Sequence, residues 1–128
     1  MTGTNTPFGT YAPSAAAKAA IGLGRILPQG GLGLWLAGMV RPIALSGLSD
    51  GFADVEALGL KLRLRPRANL SERRLYVTPH LVDPDELAAV RAAMGPGKVF
   101  VDIGANAGLY AFIAALAGGP DSRILAVE

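Results

Sequence analysis

The sequence predicts an α/β fold that ends in one βαβ unit, preceded by a helical segment and a β-hairpin. Two apolar strands, VFVDI and RILAVE, enclose a segment with the apolar period of a helix, and a glycine-rich turn follows the first strand. Farther upstream, strict alternation of apolar and polar residues predicts the hairpin. Strand, glycine turn, helix and strand in this order are typical of a parallel sheet with a right-handed crossover.

The composition indicates a globular chain with a weak charge bias. Of its 128 residues, 51% are hydrophobic, enough for the core of one small domain or of part of a larger one. The 12 basic residues outnumber the 10 acidic ones too little to indicate nucleic acid as a partner. The absence of cysteine excludes disulfides and thiolate metal sites and permits a reducing compartment. With a single histidine, His80, we expect no metal site and regard that residue as incidental.

No segment has the pattern of a transmembrane helix or of a secretory signal. The apolar run GGLGLWLAGMV is shorter than the roughly 20 residues that span a bilayer. The first cation, Lys18, follows a polar leader, whereas a signal begins with positive charge. We therefore expect a cytoplasmic protein. An amphipathic segment lying on a membrane surface, within residues 15–45, remains an alternative, so peripheral membrane contact stays open.

Residues 1–50 are expected to form a helical segment behind a frayed amino terminus (residues 1–13). Ser14 is placed to cap a first helix, and Pro28 with the glycines after it should break that helix. A second short helix is expected to end at Pro42, because the residue before a proline disfavours helical geometry.

Residues 51–97 are predicted to hold the β-hairpin and a lead-in helix. The alternating segments FADVEA and LKLRLR flank a turn at Leu58 and Gly59. The leucines of the second strand face one way, and its basic residues face the other: Lys61, Arg63 and Arg65. This basic face could bind an anion or nucleic acid. We favour a solvated strand face, because no aromatic residues interleave with the charges.

The clearest helix start in the sequence lies at Asp83. Asp83 and Glu86 have the spacing of a capping box, and Pro84 suits the first helical position. The glycines and the proline at 95–97 should end this helix before a strand begins at Lys98.

The βαβ unit, residues 98–128, places carboxylates at the ends of both strands. The first strand, which begins at Lys98, has apolar residues on both faces, namely Val99, Phe100, Val101 and Ile103, as expected of a parallel strand covered by helices. Asp102 would be costly if it were buried without a partner, so we expect it to meet solvent or a ligand. The second strand ends at Glu128. The helix between the strands should pack through Leu109, Phe112, Ile113 and Leu116.

The turn after the first strand is suited to ligand binding. In such units, ligands bind beyond the carboxyl ends of the strands, beside the first turn. Gly104 allows a sharp exit from the strand, Asn106 tolerates a left-handed conformation, and Gly108 allows close approach of helix and strand. Free N–H groups at the helix start suit an anion or an acceptor. Glu128 offers two oxygens to the hydroxyls of a ribose.

The glycine spacing disfavours a dinucleotide site. The pattern G-x-G-x-x-G would need glycines where Asn106 and Leu109 stand, and its middle glycine makes room for the pyrophosphate. A P-loop is excluded because no G-K-[ST] follows. Asp102 indicates instead a ligand with a cationic group near the turn. S-adenosylmethionine combines an ammonium group, a carboxylate and a ribose.

The stretch VFVDIGANAGLYAFIAAL, followed by RILAVE, resembles the opening motif of class I S-adenosylmethionine-dependent methyltransferases, in particular the D-[IV]-G-A-N-x-G form of the FkbM family. The lead-in YVTPHLVDPDELAAVRAAMGPG is also similar to that of bacterial members, so the likeness covers about residues 70–128. The resemblance implies a Rossmann-like sheet, S-adenosyl-L-methionine as methyl donor, and O-methylation of a hydroxyl on a sugar or a secondary metabolite.

The resemblance also implies which residues bind the cofactor. The methionine end would face Asp102, Gly104, Ala105, Asn106 and Gly108, and Glu128 would bind the ribose. Family members continue well past this second strand. We therefore expect residues 98–128 to be the truncated start of the cofactor-binding domain and the chain to be an inactive amino-terminal fragment, with no catalytic residue assigned. The alternatives are a nucleotide- or dinucleotide-binding half-domain and a non-catalytic interaction module.

Overall fold

The computed structural model describes residues 5–128, apart from the side chain of Ser49, so the fraying predicted for residues 1–4 lies outside the described part of the chain. The chain divides into two compact units, with the boundary between Val82 and Asp83. Each unit combines helices with one two-stranded sheet. The protein is therefore a mixed α/β protein, as predicted. No helix among the described residues is long and apolar enough to cross a membrane.

The first unit begins with two packed helices. Helix α1 (Ala15–Arg25) has the predicted cap, because Ser14 Oγ accepts a hydrogen bond from Ala17 N at 3.2 Å. Helix α2 (Gly31–Ala44) contains Pro42, so the predicted end at that residue is wrong.

Tertiary contacts explain why α2 continues past its proline. Pro42 lies in the last turn, where its missing N–H costs the helix a single hydrogen bond. The residue that ends the helix, Ala44, is fully buried, and its carbonyl oxygen accepts a hydrogen bond from Tyr76 Oη at 2.9 Å. Burial raises the pKa of Tyr76 to about 12, which keeps this donor protonated. Packing therefore overrides the local preference before a proline.

The predicted hairpin is confirmed in the first unit. Strands β1 (Ala53–Ala57) and β2 (Leu60–Leu64) pair antiparallel, and Leu58 and Gly59 form the turn between them at φ angles of 55° and 81°. The inner face of the hairpin packs against helix α3 (Leu70–Val77). The buried side chains of that inner face are Ala53, Val55, Ala57, Leu62 and Leu64.

Residues 5–13 are fastened to the outer face of the hairpin. The carboxylate of Asp54, only 5% exposed, accepts hydrogen bonds from Gly9 N at 2.7 Å and from Tyr11 N at 3.2 Å. Tyr11 O in turn accepts a hydrogen bond from Asp54 N at 2.9 Å. A buried carboxylate needs donors, and here the backbone N–H groups of the segment supply them. The predicted fraying is therefore wrong for residues 5–13.

The side chain of Arg63 also binds the Asp54 carboxylate. We call Asp54, Arg63 and the backbone groups of residues 6–11 that they bind the Asp54 cluster. It lies opposite Asp54 in the strand register, and its Nε donates to Asp54 Oδ1 at 2.7 Å. Its guanidinium also donates to the carbonyl oxygens of Thr6 and Pro7, each at 2.9 Å. The predicted solvated strand face thus holds for Lys61, which is exposed, but is wrong for Arg63.

The second unit has the predicted order of elements. Helix α4 (Pro84–Ala93) leads into strand β3 (Val99–Ile103), helix α5 (Leu109–Gly118) and strand β4 (Arg123–Val127). Strands β3 and β4 pair in parallel, with Asp102 opposite Ala126. The predicted strand, helix and parallel strand are therefore confirmed.

The helices cover one face of this small sheet. Helix α5 packs against both strands, and α4 packs against α5. Phe100 and Asp102 are half-buried on the covered face. The alternate side chains of the two strands are exposed: Val99, Val101, Ile103, Leu125 and Val127. The prediction that β3 is covered on both faces is therefore wrong for the described chain.

The buried face of α5 differs from the predicted one. Leu109 and Ile113 are buried as expected, but Phe112 and Leu116 are half-exposed. Ala114 is fully buried, so the helix is rotated to bring a small residue against its neighbours. The helix therefore approaches its neighbours closely at an alanine, whereas the apolar period predicts that large side chains fill this contact.

The capping box predicted for α4 is absent. Asp83 is left-handed, with φ 41° and ψ 52°, and its side chain caps no N–H group of the helix. Its Oδ2 accepts a hydrogen bond from Tyr110 Oη at 3.0 Å instead. A left-handed residue turns its side chain away from the helix start, so the capping box does not form although the spacing of Asp83 and Glu86 fits it.

Candidate functional site

The candidate site lies at the carboxyl end of the parallel sheet. Strand β3 leads into a turn of residues 104–108, and β4 leads to Glu128. Gly104 and Gly108 have φ angles of 75° and 77°, and Asn106 has a φ of 48°. These left-handed conformations confirm the roles predicted for Gly104 and Asn106, since few other residues adopt them at low cost.

Backbone hydrogen bonds hold the turn against the end of β4. Val127 O accepts from Gly104 N at 2.7 Å and from Ala105 N at 3.0 Å. Within the turn, Gly108 N donates to Ala105 O at 2.7 Å. The turn is therefore shaped by the chain's own backbone and needs no ligand to form.

Glu128 is brought to the turn by a direct contact. Its Oε2 accepts a hydrogen bond from Asn106 N at 2.6 Å, in an exposed position. This bond joins two residues that the sequence places at the ends of different strands. A carboxylate has about four acceptor positions, so Glu128 keeps capacity for ligand hydroxyls.

Asp102 has the most unusual environment in the site. Its Oδ2 is buried and has no hydrogen-bond partner among the described residues. The carboxylate lies on the face of β3 that the helices cover, close enough to Tyr110 to help raise the pKa of that phenol. A buried acceptor without a donor costs about 1–3 kcal/mol, and more when it is charged. The fold therefore tolerates a carboxylate that it does not itself satisfy.

The two glycines of the turn border different spaces. A Cβ atom on Gly104 would meet nothing within 4 Å, so the space beside the first half of the turn is open. A Cβ atom on Gly108 would lie 3.3 Å from the ring of Phe112. The neighbour of Gly108 is thus a side chain of its own helix, and the predicted close approach to the strand is wrong. The N-cap residue of α5 is Gly108 itself, which has no side chain to cap the helix.

Sequence reasoning missed the link between Tyr110 and Asp83, which lies beneath this site. The two residues are 27 positions apart, and no spacing rule relates them. Burial, the hydrogen bond to Asp83 and the negative charges of Asp83, Glu86 and Asp102 raise the pKa of Tyr110 to about 12. This phenol stays protonated and acts as a donor.

We expect Asp83→Asn to lower the pKa of Tyr110 while that of Tyr76 stays at about 12, because burial alone raises the latter. The substitution removes both a charge and a strong acceptor beside Tyr110. An NMR titration of ring-labelled tyrosine measures both phenols in one sample. An unchanged pKa of Tyr110 in this variant would show that Asp83 does not contact it.

The other residue considered from the sequence, His80, belongs to the first unit. His80 Nε2 lies 2.8 Å from the carbonyl oxygen of Leu27, and its Nδ1 is buried with no partner among the described residues. No group of three metal-ligating side chains occurs among the described residues.

The site thus combines an open space beside Gly104, one buried carboxylate oxygen without a partner and one partly used carboxylate. Uncapped N–H groups at the start of α5 add donors, as at any helix N-terminus. Such a set suits a ligand that carries both a cationic group and hydroxyl groups. Comparison of the chain with protein-family models, with curated proteins and with solved structures finds no match.

Proposed function

We propose that the second unit is the S-adenosylmethionine-binding part of an FkbM-type methyltransferase with a Rossmann-like sheet. The observation that carries this proposal is the buried Oδ2 of Asp102, which has no partner among the described residues and lies at the end of β3 beside an open glycine turn. A ligand that brings a cationic group or an N–H donor to this carboxylate would offset its desolvation. A purely structural aspartate gains nothing from such a place.

The donors and acceptors of the site fit this cofactor. Asp102 suits the ammonium group, and the N–H groups at the start of α5 suit the carboxylate of the methionine moiety. Glu128, held by Asn106 N at 2.6 Å, suits the ribose hydroxyls. When bound, S-adenosylmethionine supplies an electrophilic methyl group. In transfer to an acceptor hydroxyl, a new bond from oxygen to the methyl carbon would replace the bond from sulfur, the sulfur would leave as a neutral thioether, and the hydroxyl proton would pass to solvent.

The acceptor class follows from the sequence resemblance. We propose a hydroxyl on a small molecule or glycan, and a cytoplasmic location, in keeping with a chain that has no cysteine. Binding and orientation are the tasks of Asp102, the turn and Glu128. No residue of the chain is assigned as a base for the hydroxyl proton.

An NMR titration of the uniformly labelled chain with S-adenosylmethionine tests the proposal, because it detects weak binding and identifies the residues involved. We expect shifts of the amide signals at residues 104–108 and at Glu128. Gly104→Val should abolish these shifts, because the side chain would fill the open space. Gly97→Val is the matched control: Gly97 also has a φ of 75° and open space around it, but it lies outside the turn. Strain from a positive φ is therefore common to both variants.

Two further variants separate binding from stability. Asp102→Asn should weaken binding while the thermal stability of the chain is retained or raised, because it replaces a carboxylate whose buried oxygen lacks a donor. Glu128→Gln should weaken adenosine-containing ligands by about 1–3 kcal/mol, the scale of hydrogen bonds to a charged group. Equal affinity for NADH would favour a dinucleotide-binding half-domain. Binding of neither ligand would favour a non-catalytic module and overturn the proposal.

A further inference from the structure

Helix α2 presents an apolar stripe to solvent. Leu32, Trp35, Met39 and Ile43 follow one another at spacings of three, four and four residues, so they lie on one face of the helix over about 16 Å. Their exposed fractions are 62%, 65%, 61% and 51%. We call these four residues the α2 stripe.

The opposite face of α2 already packs into the first unit. Gly33, Ala37 and Ala44 are its buried residues, and all three are small. The helix thus turns small residues inward and large apolar residues outward, the reverse of an ordinary surface helix. Leu23 and Ile26, at the end of α1, are also exposed. Exposed apolar surface of this kind is typical of a site that meets a partner protein or a membrane.

The part of the sequence that contains the stripe is basic. The first 49 residues contain Lys18, Arg25 and Arg41 and no acidic residue. Up to Val82 the sequence has nine basic and four acidic residues, whereas from Asp83 onward it has three and six. The near-neutral total therefore conceals a basic first unit, which an anionic surface would attract.

We propose that the first unit binds the surface of membranes that contain anionic phospholipids, with α2 lying in the plane of the interface and the α2 stripe immersed. Trp35 suits this position because tryptophan is enriched at the boundary between headgroups and acyl chains. Apart from the indole N–H of Trp35, the stripe has no hydrogen-bonding group to pair with a protein partner, and that N–H suits the headgroup boundary. Basic residues and an apolar face without acidic groups are what such interfacial helices share. This inference does not depend on the proposed function, which concerns the second unit.

The fluorescence of Trp35 tests the proposal directly, because it is the only tryptophan in the chain. Vesicles of phosphatidylcholine with phosphatidylglycerol should shift its emission to the blue, and lipids brominated on the acyl chains should quench it. Pure phosphatidylcholine should bind more weakly, and high salt should weaken binding to the anionic vesicles. No shift with either vesicle would overturn the proposal.

Two double variants test whether vesicle binding depends on the α2 stripe or on any exposed apolar side chain. Leu32→Gln combined with Met39→Gln should weaken vesicle binding at least about tenfold, because two apolar side chains no longer enter the acyl layer. The matched control, Leu116→Gln with Leu125→Gln, changes two leucines of the second unit that are 53% and 55% exposed. It should bind vesicles like the parent, and circular dichroism should show that both variants are folded.

Two results would contradict a membrane role for the stripe. An equal loss of binding in the control pair would show that vesicles capture the chain through any exposed leucine. A blue shift without lipid, with a sedimentation mass that rises with protein concentration and falls in the stripe variant, would assign the stripe to contact between two copies of the chain. Either outcome overturns the proposal.

Discussion

Gly24→Ala is expected to lower the stability of the first unit by about 2–3 kcal/mol, the upper range for a forced backbone shift in a packed core. A Cβ atom at this position would lie 2.4 Å from the backbone oxygen of Val77, which ends α3. A backbone atom of a second helix cannot move aside as a flexible side chain can. Helices α1 and α3 would therefore have to separate and lose buried contacts.

Gly22→Ala is the matched control on the same helix. A Cβ atom on Gly22 would meet nothing within 4 Å, and the position is exposed. Alanine favours helix by about 1 kcal/mol over glycine, so this variant should be equal to the parent or more stable. Urea unfolding followed by circular dichroism measures both variants. If Gly24→Ala were as stable as Gly22→Ala, α1 and α3 would not approach each other at Gly24.

The parts of the fold that the sequence predicts are those fixed by neighbouring residues. The cap at Ser14 and the hairpin turn at Gly59 depend on conformational preferences within a few positions. The turn of the candidate site belongs to the same class, because glycine at 104 and asparagine at 106 suit left-handed backbone wherever they occur.

What the sequence does not predict depends on long-range packing. The role of Gly24 is visible only once Val77 lies against it, 53 positions later in the chain. The rotation of α5, which exposes Phe112, depends on the surfaces offered by α4 and the sheet. Asp102 lies between these cases: its place at a strand end could be predicted, but the burial of its Oδ2 without a partner could not.

The Asp54 cluster is an instance where more could have been predicted. Asp54 and Arg63 are directly opposed in the hairpin that the alternation predicts, so the register already pairs them. The carbonyl oxygens of Thr6 and Pro7, which complete the cluster, follow from no pattern in the sequence. The signal in the sequence for this ion pair is an aspartate in one strand and three basic residues along the strand that faces it.

Asp54→Asn is expected to cost the first unit about 2–3 kcal/mol at neutral pH, the scale of hydrogen bonds to a charged group. The carboxylate accepts from Gly9 N, Tyr11 N and Arg63, and an amide supplies one acceptor oxygen where the carboxylate has two. The control is Glu56→Gln on the same strand. Glu56 pairs with Lys61 at 3.9 Å on an exposed surface, so its loss should change stability by less than about 1 kcal/mol.

The pH dependence of this contribution has a definite sign. The hydrogen bond from Arg63, helped by those from Tyr11 N and Gly9 N, holds the pKa of Asp54 below its ordinary value of 3.8. A group whose pKa is lower in the folded state stabilises the fold above the pKa of the unfolded chain, and that stabilisation is lost as the pH falls through the folded pKa. The difference in unfolding free energy between parent and Asp54→Asn should therefore be constant near neutral pH and shrink below pH 3.8.

Hydrogen exchange shows whether Asp54→Asn releases residues 5–13 locally or destabilises the whole first unit. If Asp54 fastens residues 5–13, the amides of Gly9 and Tyr11 should lose protection in Asp54→Asn, while those of β2 in the hairpin should retain most of theirs. Glu56→Gln should leave both groups protected. Continued protection of Gly9 and Tyr11 in Asp54→Asn would mean that other contacts hold the segment. Because the carboxylate is the acceptor that both amides share, this single substitution should expose Gly9 N and Tyr11 N together.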